Sequence, residues 1–378
     1  MLVRMRQRVV IVGGGILGLA HAYLGARRGH SVTLLERGPA ATGASIRNFG
    51  MIWPIGQPAG EMHQMALRSR QIWLQLLNTE RFPYRRTGSL HLAYREDEAE
   101  VLREFAEIAP PAGYQCEWLP ASEAVKFSAA VQSLGLKGGL WSDTEFTVDP
   151  RVVISGLPKY LEELGVSLRF GTAVTRIALP RIETGSESYE ADVAIVCSGD
   201  DFETLFPDTF RASGITRCKL QMMRTAPQSG NWKLGPSLAA GLTLRFYKAF
   251  QMCSTLPKLK ERIAQEMPEY EKYLIHVLVS QTADGAITLG DSHEYGPCVD
   301  IFNKSEIDDL ILREAKKFLE LPDFDIAQRW HGVYATHPEK PFFEAVPAEG
   351  VHIVTGVGGS GITLSFGLAE RTLDGMGL

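Results

Sequence analysis

An apolar run, Val9 to Val12, leads into three glycines, then a helical pattern to Gly29, then a second largely apolar run, Val32 to Leu35, ending in Glu36. This order predicts strand, turn, helix and strand. Glu61 to Glu80 predicts an amphipathic helix with Met65, Ile72, Leu76 and Leu77 on one side; His63 and Trp73 read as packing residues. Ser89–Tyr94 predicts a strand and Glu96–Ile108 a charged helix, and "LKGGLWSDTEFTVDP" reads as a hairpin. After Asp149-Pro150 a long helix is expected to stop at Gly165, with two strands behind it. Val193–Cys197 predicts a buried strand opening into Ser198-Gly199, as at the carboxyl edge of a parallel sheet, where such sheets bind ligands. From Arg217 to about Gly290 the pattern alternates ("CKLQMMRT", "LTLRFYKAF", "YLIHVLVSQ", "AITLGDS"), predicting an antiparallel sheet interrupted by one charged helix, "KLKERIAQEMPEYEKY". Ser305 is expected to N-cap a further amphipathic helix.

The first unit carries a chemical reading. Gly13, Gly15 and Gly18 form GxGxxG: a tight turn, a close approach to pyrophosphate, and close packing of helix on strand. The helix N-terminus, around Ile16 and Leu17, offers N–H groups and partial positive charge to phosphates. Glu36, at the end of the second strand, can accept hydrogen bonds from both ribose hydroxyls and would repel a 2′-phosphate, so NADP is disfavoured. The pattern points to a dinucleotide. The loop that follows, rich in Gly, Ala, Pro and Ser, is long for a compact nucleotide domain and reads as functional.

Composition narrows the class. The chain has 378 residues, 45% hydrophobic and 22% charged, with a formal net charge of -5. That length suits about two domains, and the charge argues against a nucleic-acid partner. The densest basic run, "RMRQR", reads as a solvated tail, and the apolar run behind it belongs to the nucleotide unit rather than to a signal peptide. No apolar stretch suits a membrane span, and a cytoplasmic location is expected. Cys116, Cys197, Cys218, Cys253 and Cys298 are widely spaced, with no CxxC pair, Cys/His cluster or HExxH, so neither a disulfide framework nor a metal site is expected; each reads as a small core residue.

A second glycine-rich turn lies near the C-terminus, in "VHIVTGVGGSGITLSFGLAERTL". Gly358, Gly359 and Gly361 allow a flat ring to approach, with Ser360 between them. The helix starting near Ile362-Thr363 points its positive end at that ring, which suits the negative charge of a reduced flavin.

GxGxxG with Glu36, "TGASIRNFG", the "VDP" helix, "ADVAIVCSG" and "TGVGGSGIT" together resemble the FAD-dependent amine and amino-acid oxidoreductases of the D-amino acid oxidase superfamily, the glycine oxidase and sarcosine oxidase-like group. The resemblance covers nearly the whole chain. It implies FAD and an α/β fold. A GR2-type Rossmann FAD-binding domain would be built from residues 1–84, 145–215 and 325–378. A substrate domain with a mainly antiparallel sheet would be built from residues 85–144 and 216–324. It places Ser45, Asn48 and Gly50 along the pyrophosphate and isoalloxazine, with Arg37, Arg47 and Phe49 beside them, and Val174 where backbone meets adenine. Ser198 and Gly199 join this cofactor set.

Two departures stand out. "RWHGVYATHPEKPFF" lacks the cysteine by which sarcosine oxidase-like members often tether the flavin, which implies non-covalent FAD. Tyr334 stands where glycine oxidase-like members carry an arginine for the substrate carboxylate, and a phenol cannot replace a bidentate guanidinium. If "LRFYKAF" were a strand, Arg245 and Tyr247 would share a face and could suit a tetrahedral dianion; an exposed sheet face is the equal alternative. The chain also looks like a branch that occurs with phosphonate catabolism, which implies an aminoalkylphosphonate or its N-methyl derivative as substrate. Asn48, Arg245, Tyr247, His293, Tyr334 and His337 are the candidates for lining the substrate site, and no catalytic base is assigned. The expected reaction oxidises a small amine to an imine, which hydrolyses to a carbonyl product plus amine or ammonia, with oxygen or another acceptor re-oxidising the flavin. The alternatives are a D-amino acid or glycine/sarcosine oxidase or dehydrogenase, a hydroxy-acid dehydrogenase, and a non-catalytic nucleotide-binding module.

Overall fold

The computed structural model describes residues 6–378; part of "RMRQR", read above as a solvated tail, lies outside them. The predicted opening unit forms β1 (Arg8–Val12), helix α1 (Ile16–Arg27) and β2 (Ser31–Glu36). β1 pairs in parallel with β2 on one side and with the strand Val193–Val196 on the other. Ser167–Phe170 extends the sheet beyond β2, and Val351–Thr355 extends it beyond Val193–Val196. One antiparallel edge strand, Phe343–Ala348, completes six strands drawn from separated parts of the chain.

α1 is buried continuously from Ile16 to Gly25, since it lies between the sheet and the C-terminal helix Gly361–Gly375. A helix apolar on all sides needs such enclosure. The helices Glu61–Leu77 and Pro150–Glu163 pack into the same core. The sheet's other face is covered by a three-stranded antiparallel meander, Val174–Ala178, Arg181–Thr184 and Ser188–Glu190.

The second layer is a nine-stranded sheet. Its pairings are antiparallel except where Ser237–Ala239 runs parallel to Ser89–Ala93. Helices Glu96–Ile108, Leu256–Glu266 and Ser305–Phe318 share its core. Its longest pairing joins Thr216–Pro227 to Ile326–Thr336, in a register that sets Cys218 opposite Tyr334. The mixed α/β architecture expected from the sequence is the one observed.

Several local expectations change. "LRFYKAF" is not a strand: the chain there makes two short helical turns, Gly241–Thr243 and Lys248–Met252, so the proposed alternation of faces does not exist. Gly138–Ser142 and Phe146–Val148 do not form a hairpin but enter different sheets. The buried Glu145 carboxylate between them accepts hydrogen bonds from Ile55 N and Ser89 Oγ and redirects the chain. Lys304, not Ser305, is the N-cap of the last amphipathic helix, and Ser305 is its first residue. The charged segment "KLKERIAQEMPEYEKY" is two helices rather than one, Leu256–Glu266 and Pro268–Lys272, divided at Met267-Pro268, as a proline that cannot donate requires. Cys197, Cys218 and Cys253 are buried as expected, but Cys116 is half-buried and Cys298 exposed.

His91 lies in the core of the large sheet, fully buried between Trp53 and Phe250, with neither ring nitrogen hydrogen-bonded. Burial pushes its pKa down to about 3 from 6.5. The unfolded chain therefore takes up a proton at this residue between those values that the folded chain refuses, and stability falls as pH drops through that window. His91→Phe removes this contribution. Urea midpoints at pH 7 and pH 5 are expected to differ less for the variant than for the wild type; an equal difference would refute the assignment.

Candidate active site

The carboxyl edge of the six-stranded sheet and the inner face of the large sheet enclose one elongated cavity of about 500 Å³, within the range of small-molecule sites. Its walls begin at the first glycine turn. Gly13 takes φ +109°, and a Cβ there would fall 2.2 Å from Cys197 O; a Cβ on Gly18 would fall 1.9 Å from Gly13 O. Those two glycines bring α1 and the neighbouring strand ends together, and Gly18 itself does not reach the cavity. Gly15 caps α1 without any side-chain hydrogen bond, and no acidic residue sits in the first turn. The positive end of α1 thus faces the cavity at Gly15, Ile16 and Leu17, with Ser45 Oγ accepting from Ile16 N at 2.9 Å.

Glu36 lines the cavity from the end of β2. Its carboxylate is held by Gly14 N at 2.6 Å and Gly38 N at 2.8 Å, one to each oxygen. Each oxygen keeps a lone pair for a ribose hydroxyl. Val174 lines the same end. Ser198 and Gly199 contribute from the end of the strand Val193–Val196, where Gly199 O accepts from Thr355 Oγ1. Arg37 lines the wall too, but its guanidinium is engaged by Asp201 at 2.6 Å.

The loop read as functional runs along the cavity through Arg47, Asn48 and Phe49. Asn48 is committed to the loop itself. Its Nδ2 donates to Ser45 O and Ala44 O, and its Oδ1 accepts from Gly50 N at 2.7 Å. Gly50 has φ +72°, with a Cβ excluded by Val148 O, and so holds the loop's shape from outside the cavity lining. Arg47 donates to His331 O and keeps its remaining N–H groups free of any other described partner.

At the far end the second glycine turn enters. Gly358, Gly359, Gly361 and Ile362 line the cavity, and the helix Gly361–Gly375 starts there with no side-chain cap and no acid in its first turn. Ser360 and Thr363 face away: Ser360 Oγ accepts from Gln57 Nε2, and Thr363 Oγ1 accepts from Trp53 N. Trp73, read as packing, also anchors this turn, its Nε1 donating to Ile362 O at 2.9 Å.

Of the substrate candidates, Asn48 and Tyr334 line the cavity. The Tyr334 hydroxyl lies beside Gly359, and burial next to Cys218 and Tyr295 raises its pKa well above the usual phenol range. Arg245 does not line the cavity; its guanidinium lies 2.9 Å from Glu271 and donates to Tyr270 O and Ile275 O, so the tetrahedral-anion role expected of it is not available. Tyr247 packs against the Trp53–Gly56 turn, outside the lining. His337 holds its own turn, accepting from Glu339 N and Lys340 N at Nδ1 and bonding Ser213 O at Nε2. His293 is buried behind the wall, its Nδ1 near Leu274 O.

Sequence reasoning missed Leu220, Met222 and Asp291, which line the cavity from the large sheet. Asp291 also completes a cluster with His276 and His293 whose side-chain donor atoms lie within 4.8 Å of one another. No linear motif signals it, since His276 and Asp291 meet only through strand pairing. The repeated polar residues in "GDSHEYG", at the end of a strand otherwise apolar, were the available cue.

The residues present fit FAD. Two helix N-termini without side-chain caps, a carboxylate at the end of β2 and two glycine turns that leave room for backbone approach all open on one cavity. Comparison with known families agrees: residues 8–374 match the DAO family, FAD dependent oxidoreductase, and the chain belongs to that family. It is 25% identical over 209 residues to a glycine oxidase of Geobacillus kaustophilus and 25% identical over 254 residues to a D-amino acid dehydrogenase of Methylobacterium nodulans. Each match takes in 51% of this chain, and 55% and 60% of those proteins, so the matched stretch spans little more than half of these relatives. Solved structures share the fold over nearly the full length. The glycine oxidase of Geobacillus kaustophilus has a TM-score of 0.77 at 19% identity, covering 98% of this chain and 95% of that one. The L-proline dehydrogenase of P. horikoshii has a TM-score of 0.77 at 20% identity, covering 98% and 94%. L-α-glycerophosphate oxidase of Mycoplasma pneumoniae, with FAD bound, has a TM-score of 0.75 at 19% identity, covering 99% and 95%.

Glu36→Ala is expected to weaken FAD binding about 10- to 100-fold, the worth of hydrogen bonds to a charged group. Titrating apoprotein with FAD and following flavin fluorescence measures it, and an unchanged affinity would remove Glu36 from the ribose.

Proposed function

We propose that this protein is an FAD-dependent amine oxidoreductase that converts a small primary or secondary amine to an imine, which water hydrolyses to a carbonyl product plus amine or ammonia. The observation that carries the reading is the continuity of one cavity from Glu36, past both glycine turns, to a chamber walled by Tyr334, Leu220, Met222 and Asp291. FAD, when bound, supplies the two-electron acceptor for the substrate's α C–H. The chain's own residues do the rest. The long strands Thr216–Pro227 and Ile326–Thr336 form a rigid wall that holds the substrate, and Leu220 and Met222 make that end of the wall apolar and help keep water out. Tyr334 stays protonated at working pH and so presents a hydrogen-bond donor beside Gly359.

The cofactor-binding set of this reading is Gly13, Gly15, Ile16, Leu17, Glu36, Ser45, Arg47, Phe49, Val174, Ser198, Gly199, Gly358, Gly359, Gly361 and Ile362, all on the cavity wall. FAD is held without a covalent bond: among the described cavity-lining residues the only cysteine is Cys197, whose buried thiol is pushed well above its usual range and is no nucleophile. In this reading the six-stranded sheet serves the FAD domain and the nine-stranded sheet the substrate domain, although the strand Ile326–Thr336, within the 325–378 segment expected in the FAD domain, belongs to the nine-stranded sheet. For the substrate, an aminoalkylphosphonate or its N-methyl derivative remains our reading, supported by Tyr334 in place of a carboxylate-clamping arginine. Arg245 no longer supports it; Arg47 is the cavity-lining cation with donors to spare for an anionic group.

Purified protein is expected to be yellow and to release its flavin into the supernatant on acid precipitation; flavin retained in the pellet would refute non-covalent binding. Anaerobic bleaching near 450 nm is expected with aminoalkylphosphonates and not with hydroxy acids. Bleaching by glycine or D-amino acids would overturn the phosphonate reading, and bleaching by hydroxy acids alone would overturn amine oxidation.

A further inference from the structure

At the chamber end of the cavity stands a carboxylate with one oxygen unsatisfied. Asp291 lines the wall, yet it is only 6% exposed. Its neighbours do not compensate it. His276 Nε2 lies 3.2 Å from Asp291 Oδ1, but the two are not aligned for a hydrogen bond, and Oδ1 and both His276 ring nitrogens lack partners among the described residues. Buried polar atoms without partners are uncommon and costly, so the arrangement calls for a group that the fold itself does not supply.

The surroundings define that group. Burial lowers His293 to about 4 and His276 well below its usual range, so at neutral pH neither carries positive charge. Around the cluster stand the rings of Phe246, Tyr247 and Tyr295, with Met222 and Phe49 in contact range of the Gly290 position that precedes Asp291. The nearest arginine that acts on the histidines is Arg245, which Glu271 already neutralises. In this apolar, weakly screening setting a carboxylate favours a compact cation bearing N–H donors over water or an anion.

We infer that Asp291 is the ammonium-binding subsite of this enzyme: its carboxylate accepts N–H hydrogen bonds from the protonated amine of the incoming substrate, with His276 and His293 packed close beside it. The inference rests on the amine-oxidoreductase reading above and adds the residue that selects amines. It also gives a reason for the buried His276–Asp291–His293 cluster, which no part of the cofactor site uses. Without a cation, burial holds the Asp291 carboxyl well above the usual carboxylate range, so the empty site keeps its proton; that proton leaves to solvent as the ammonium binds, and the carboxylate then takes one from the ammonium to leave the neutral amine that is oxidised.

The test uses FAD-loaded protein and ethylammonium chloride as probe, with sodium acetate as the contrasting ion, read as a saturable change in the visible flavin spectrum. The wild type is expected to respond to ethylammonium and not to acetate. Asp291→Asn, which keeps the size and removes the charge, is expected to bind ethylammonium about 10- to 100-fold more weakly, the worth of a hydrogen bond to a charged group. Asp291→Glu, which restores the charge, is expected to recover part of that loss. Flavin content and thermal midpoint of each variant report whether it has folded; the Glu variant keeps the test open should Asn fail. Equal ethylammonium affinity in the wild type and the Asn variant overturns the proposal, as does the absence of any saturable response in the wild type. A stoichiometric transition metal found by elemental analysis of the purified wild type, and lost in the Asn variant, also overturns it. Failure of the underlying reading is seen separately: no amine in the substrate panel would bleach the flavin, whatever ethylammonium does.

Discussion

The close approach of backbone to backbone at the first glycine turn is the constraint on which the rest of the structure depends. Gly13 and Gly18 leave no room for a Cβ, because Cys197 O and Gly13 O occupy those positions. Any side chain there would push α1 away from the sheet, and with it the helix N-terminus that faces the cavity. The same contact ties β1 to the strand Val193–Val196, whose end supplies Ser198 and Gly199. One packing constraint therefore sets sheet order, helix position and the mouth of the cofactor cavity together.

A second organisation comes from long-range clamps around that cavity. Trp73 Nε1 holds Ile362 O, and Thr363 Oγ1 accepts from Trp53 N, so the turn at Gly358–Gly361 is fixed by residues some three hundred positions earlier. Glu145 joins the Trp53–Gly56 turn to Ser89 in the large sheet. These buried hydrogen bonds fasten the two layers next to the second glycine turn, which lines the cavity.

Charge is distributed unevenly along the same cavity. The nucleotide end offers the N-terminus of α1 and backbone N–H groups, which suit phosphates. The chamber end offers Tyr334, apolar side chains and one buried carboxylate. Several arginines are committed: Arg37, on the cavity wall, to Asp201, Arg245 to Glu271 and Arg217 to Glu203. That commitment is invisible along the sequence, where each reads as a free cation.

The nucleotide half was legible along the chain. The GxGxxG turn, Glu36 and the two glycine-rich strand-to-helix junctions are local patterns, and local patterns act through backbone sterics and helix ends, which depend little on distant neighbours. The α/β class and the antiparallel second sheet could be read for a related reason, since periodicity records which face is buried. The half proposed to hold the substrate took its form only on folding. "LRFYKAF" alternates like a strand but is bent into helical turns, where Arg245 finds Glu271. His276 and Asp291 pair across the ends of neighbouring strands, and His293 closes the group from the next loop; nothing in their spacing marks them as a cluster. Which polar side chains reach a cavity depends on strand register and on which partners satisfy them first, and both are properties of the folded chain.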